Sequence, residues 1–100
     1  MNHYFLVYDL ADDYLERRGD FRGLHLKLAW EACARGEMVM GGALSDPVDT
    51  AMLLFKGDSP KVAEDFAKVD PYVLNGLIKS WRVRPWLTVV GEGAANPVKL

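Results

Sequence analysis

Aromatic and aliphatic residues crowd the start of the chain, where residues 3 to 10 read His-Tyr-Phe-Leu-Val-Tyr-Asp-Leu. That mix over that length predicts a strand, and the Asp12-Asp13 pair ends it. On a period of two, Phe5 and Val7 point one way while Tyr4, Leu6 and Tyr8 point the other, so each side needs cover. Beyond it the period changes. Phe21, Leu24, Leu28 and Ala32, with Ala29 and Cys33 beside them, recur at helical spacing. A helix is predicted from Phe21 to Arg35, with Asp20 as its N-cap and Gly36 as its stop.

Met38 to Leu44 reads as a short strand containing Gly41-Gly42, where missing side chains leave room for a bulge or for the close approach of a ligand. The turn formers of Ser45-Asp46-Pro47-Val48-Asp49 lead into a third strand, Thr50 to Lys56, and the two strands form a hairpin. Ser59 then caps a helix from Lys61 to Lys68 whose first position suits Pro60. Val62 and Phe66 mark its apolar side. Asp70-Pro71 ends it, and Pro71 to Leu77 allow one further helical turn before Gly76. The last strand is expected from Lys79 to Val90, with Trp81, Val83, Leu87 and Val89 on one face and Arg82, Arg84, Trp86 and Thr88 on the other. Pro85 argues for an edge position there.

The order strand, helix, hairpin, helix, strand predicts an α+β domain of ferredoxin-like βαββαβ pattern, an antiparallel sheet with two helices on one face. It occupies residues 1–90, and residues 91–100 form a tail expected to be poorly ordered or laid over a neighbour. Tyr4, Leu6 and Tyr8 are expected on the uncovered face, an apolar surface larger than a monomer tolerates, which points to a second copy packed sheet to sheet.

Composition narrows the function. A net charge of −2 from 12 basic and 14 acidic residues gives no field for a phosphate backbone, so no nucleic acid partner is expected. A single cysteine, Cys33, and no basic-then-apolar leader suggest a reducing, cytoplasmic setting. Asp9, Asp12 and Asp13 interrupt the first apolar run far short of a membrane span. Two histidines and one cysteine without ligand spacing predict no metal, and no phosphate-binding glycine motif predicts no nucleotide cofactor.

Candidate chemistry centres on His25, because imidazole alone changes charge near neutrality, and the positive end of a helix favours its neutral, basic form. Arg22 lies one helical turn before it and could hold a carboxylate or phenolate beside the base. Against this stands the plain reading of a half-buried surface histidine beside a solvated arginine. Asp70 could receive the imidazole N–H and fix its tautomer, or it could simply be a turn former before proline. Tyr72 and Tyr8 could donate to a ligand oxygen, and Gly42 could admit one closely. Arg82 and Arg84 could attract an anion or be ordinary surface charge. Cys33 reads as an inert core thiol, and His3 is too near the terminus to interpret.

From Tyr4 to Trp86 these features together resemble the YciI-like proteins of the dimeric α+β barrel superfamily. The likeness rests on an opening strand ending in Asp9, on Arg22-x-x-His25-Leu26, on Gly41-Gly42, on Asp70-Pro71-Tyr72 followed by Gly76, and on Val83-Arg84-Pro85-Trp86. The hairpin connection is shorter than in many relatives, and Arg35-Gly36-Glu37 departs from the usual acidic residue before the glycine. The resemblance implies a homodimer or a higher oligomer, with a pocket in which His25 and Asp70 match the catalytic pair. It further implies lyase- or isomerase-type proton transfer, as in a dehydrochlorinase, on a small hydroxylated or carbonyl substrate, aromatic ones included. A non-catalytic ligand-binding or accessory dimer is the alternative.

Overall fold

The computed structural model describes all residues from Met1 to Leu100. Four strands, β1 (Asn2–Leu10), β2 (Met38–Ala43), β3 (Thr50–Gly57) and β4 (Ile78–Trp86), form one antiparallel sheet in the order β2-β3-β1-β4. The helices are α1 (Tyr14–Arg17), α2 (Arg22–Ala34), α3 (Lys61–Val69) and α4 (Pro71–Leu74), with a 3-10 turn over Arg18–Asp20. This is the expected ferredoxin-like α+β architecture. The core is a cluster of 15 buried residues between the helices and the sheet, including Leu6, Tyr8, Phe55, Phe66 and Leu77. Burying each large apolar side chain contributes about 1.5–3 kcal/mol before entropy is counted.

Register corrects one expectation. Leu6 faces Leu53 and Val83, and Tyr8 faces Ala51 and Trp81, across the two neighbouring strands. Tyr4, Leu6 and Tyr8 are therefore on the helix-covered face and are buried. The uncovered face carries Phe5 and Val7 together with Met52, Leu54, Arg82 and Arg84. The sequence showed that β1 is apolar on both sides, but Tyr8 goes inward because its hydroxyl finds a buried partner there.

Other differences lie at element ends. Residues 14–20, where no element was expected, form α1 and the 3-10 turn. Asp20 is consumed in that turn, so Phe21 precedes α2 and no side chain caps it. Gly36 ends α2 as expected, at φ +78°, a conformation costly for residues with a Cβ. Leu24, expected on the buried side of that helix, is exposed, and so is Trp30.

β4 stops at Trp86 rather than Val90, because beyond it the chain pairs with its own tail. Asn96 N–H donates to the Thr88 carbonyl and Val98 N–H to that of Val89, both at hydrogen-bond distance. The buried Thr88 hydroxyl accepts from Ala95 N–H at 2.8 Å and lies 2.7 Å from His3 Nδ1. The tail thus folds back onto Thr88 and Val89, just beyond the end of β4. Pro85 sits on β4, an edge strand, where its missing N–H leaves no ladder bond unmade. No helix is long and apolar enough to cross a membrane.

Candidate functional site

Asp70 ends α3 and opens α4, and the proline after it forces the extended backbone (φ −67°, ψ 122°) that turns its side chain back onto the next turn. Its Oδ1 accepts the Tyr72 backbone N–H at 3.0 Å, a helix cap. That same oxygen lies 2.8 Å from His25 Nδ1, and Oδ2 accepts the Tyr8 hydroxyl at 2.7 Å. The turn-forming role and the histidine-holding role considered for Asp70 are thus performed together.

Asp70 is fully buried, and three donors converge on it from β1, α2 and α4. A buried carboxylate needs this many partners to offset the loss of water. Tyr8 and Tyr72 each bring a proton that is not given up. Burial, followed by the charge and hydrogen bond of Asp70, drives the Tyr8 hydroxyl far above the ordinary tyrosine range. With Asp70 acting as acceptor, Nδ1 of His25 is the donor of this contact, and in the neutral ring Nε2 is the nitrogen that keeps its lone pair.

The ring of His25 is clamped as well as bonded. Tyr72 stacks on it with centroids 3.9 Å apart and planes 7° from parallel, while Phe66 meets it edge-on at 6.3 Å. Burial and Tyr14 push the Tyr72 hydroxyl up to about 12, against the opposing charges of Arg22 and Arg18. Only 14% of the His25 side chain remains exposed. That remnant lines a cleft of about 380 Å³ between α2, the 3-10 turn and the β2–β3 hairpin.

Tyr8, Arg22, His25, Gly42 and Tyr72 all line this cleft, and Asp70 lies behind its wall. Tyr8 reaches it with its ring, since its hydroxyl is committed to Asp70. Gly42 contributes backbone: its register partner is Met52, so a side chain there points to the open sheet face. Gly41 is the position from which a side chain enters the cleft, for it pairs with Leu53 and a Cβ would stand 3.3 Å from Leu53 Cγ. Cys33, read as an inert core thiol, is half-buried at the cleft wall. Arg82 and Arg84 lie on the other side of the sheet, where Arg82 pairs with Asp9 at 3.2 Å. Ser80 and Arg82 together hold the Asp9 carboxyl below the usual range.

Two cleft residues that bring polar groups, Arg18 and Tyr14, were not singled out in the sequence. Their segment lacks the apolar periodicity by which helices are recognised, although Tyr14 is buried and Arg18 lies over its ring at 5.7 Å.

No family profile matches the chain, nor does any curated protein sequence. Solved structures do match its fold. The chain is similar to 5-chloro-2-hydroxyhydroquinone dehydrochlorinase from Burkholderia phenoliruptrix, in complex with 2,5-dihydroxybenzoquinone, at a TM-score of 0.73 and 18% identity, over 86% of this chain and 94% of that one. It is also similar to a NIPSNAP family protein from Agrobacterium tumefaciens, with a TM-score of 0.59, 12% identity and coverage of 93% and 95%. A putative antibiotic biosynthesis monooxygenase from Deinococcus radiodurans gives 0.55, 11%, 93% and 95% in the same order. These likenesses define the class as ferredoxin-like α+β. At such identities they speak for the fold alone.

Proposed function

We propose that this chain is a YciI-like small-molecule enzyme in which the His25–Asp70 pair performs general acid–base chemistry on a hydroxylated or carbonyl substrate. The observation that carries this reading is the 2.8 Å contact between a fully buried carboxylate and a histidine whose other edge faces a cleft. Nε2 of His25 takes a proton from the substrate, Asp70 stabilises the imidazolium that forms, and Arg22 steadies the negative charge left on substrate oxygen. If the substrate is a ring bearing chlorine, as that of the dehydrochlorinase is, His25 first moves a hydroxyl proton to the carbon that carries chlorine, giving the keto tautomer; it then takes a second hydroxyl proton, and the electron pair released forms the second carbonyl and expels chloride.

The open sheet face supports a homodimer as the working form. Phe5 stacks on Trp86 with centroids 4.7 Å apart, and Trp86 is 46% exposed. Met52 and Leu54 share that face with them, and a second copy would remove all four from water.

The test is turnover of chlorinated and unchlorinated hydroxyquinols and of enolisable ketones by wild type and His25→Ala. The reading predicts turnover of at least one substrate by wild type and a loss of about 10²–10⁴-fold in the variant. Binding without turnover of any of them, or equal rates in the two proteins, contradicts it in favour of a binding module.

A further inference from the structure

Six arginines are distributed along the chain, and their pairing is uneven. Arg17, Arg35 and Arg82 each sit within salt-bridge distance of a carboxylate, namely Asp13, Glu37 and Asp9. Arg18, Arg22 and Arg84 have no such partner; Arg84 is on the open sheet face, and Arg18 and Arg22 line the cleft. No aspartate or glutamate lines it with them. Within a protein of net charge −2, the cleft therefore presents two cations beside the His25 imidazole, and Asp70, the carboxylate behind its wall, is engaged with its own donors. Charge of one sign focused by low-dielectric walls selects ligands of the opposite sign.

The rest of the lining fixes the ligand's body. Of 19 lining residues 14 are hydrophobic, among them Leu26, Trp30, Met38 and Leu53. A cleft of about 380 Å³ is at the small end of ligand sites, fit for a single ring with short substituents. The two guanidiniums sit on the same side as His25, since Arg22 is one helical turn before it on α2 and Arg18 lies in the turn that leads in. Arg18 is steadied by its position over the Tyr14 ring.

We propose that the cleft takes a small planar organic anion whose charged oxygens are held by Arg18 and Arg22 while its ring lies against the apolar wall beside His25. This deepens the acid–base reading, on which it rests for the site but not for turnover. Arg18 is thereby a binding residue for the anion, paired with Arg22. Two guanidinium forks bind either a carboxylate or a phenolate, and the experiment separates the two.

Calorimetric titration with benzoate and its neutral isostere benzamide forms one arm, and 4-nitrophenolate against 4-nitroanisole the other. At least one anion is expected to bind about tenfold or more tightly than its neutral partner, with an affinity that weakens as salt rises. Arg18→Gln and Arg22→Gln each weaken that anion by about five- to tenfold and leave the neutral partner within about twofold. Arg35→Gln, away from the cleft, changes neither. Neutral probes binding as well as both anions, or glutamine variants that bind the anion as wild type does, overturn the proposal. Because binding alone is read, anion selectivity that survives in a His25→Ala protein which never turned anything over leaves this inference standing while the acid–base reading fails.

Discussion

His25 and Asp70, 45 residues apart in the chain, meet through Nδ1 and Oδ1 at 2.8 Å, and that oxygen is also fixed by the Tyr72 backbone N–H. The double duty of Oδ1 makes two substitutions diverge. In Asp70→Asn the amide oxygen stays with the two N–H donors and the amide nitrogen faces Tyr8, whose oxygen can accept. The imidazole tautomer is then kept and only the charge is lost, so turnover falls by about ten- to a hundredfold. Asp70→Ala frees the ring and strands the buried Tyr8 hydroxyl. It should lose about 1–3 kcal/mol of stability and considerably more activity than the asparagine variant. Denaturant unfolding and turnover on the same preparations check both.

Tyr8→Phe keeps the ring at the cleft and removes one donor from the carboxylate. Its expected cost is about 1–3 kcal/mol, since an acceptor of full charge is left one partner short in the core. A ligand that needed the hydroxyl itself would lose affinity in this variant. Unchanged affinity together with lowered stability is the predicted pattern, measured by calorimetry and chemical denaturation.

Alkaline pH offers a separate check. Burial raises both Tyr8 and Tyr72, the latter to about 12, so the folded state holds protons that the unfolded chain begins to release near pH 10. Their contribution is intact below pH 10 and lost above it, at about 1.4 kcal/mol per pH unit for each tyrosine until its folded-state pKa is passed. Melting curves from pH 8 to 12 should show this fall, and Tyr72→Phe should make it shallower between pH 10 and 12.

The dimer has its own prediction. Leu54→Glu places a charge amid Phe5, Met52 and Trp86 on the open face without touching the helix-side core. Wild type is expected to sediment at twice the chain mass and Leu54→Glu as a monomer with its secondary structure preserved. Monomeric wild type at micromolar concentration counts against the dimer.

Strong local signals in the sequence mark what they can reach: the order of strands and helices, the stop at Gly36 and the edge position of Pro85 each follow from a residue type with one physical meaning. The choice of face for β1 did not follow, because both of its sides are apolar and the deciding contact, Tyr8 to Asp70, joins residues 62 apart. The same holds for Arg18 and Tyr14, which reach the cleft through a short turn that no periodicity announces. His25 and Asp70 could be singled out by their chemistry, but the three donors that converge on the carboxylate exist only once β1, α2 and α4 are assembled.

The central claim is a proton on Nδ1 of His25 and a free lone pair on Nε2 facing the cleft. Long-range proton–nitrogen correlation NMR on uniformly labelled protein at neutral pH reads this tautomer directly. The account predicts a single Nδ1–H form for His25 that persists in Asp70→Asn and gives way to mixed tautomers in Asp70→Ala. A wild-type His25 with its proton on Nε2, or averaging freely between the two nitrogens, contradicts it.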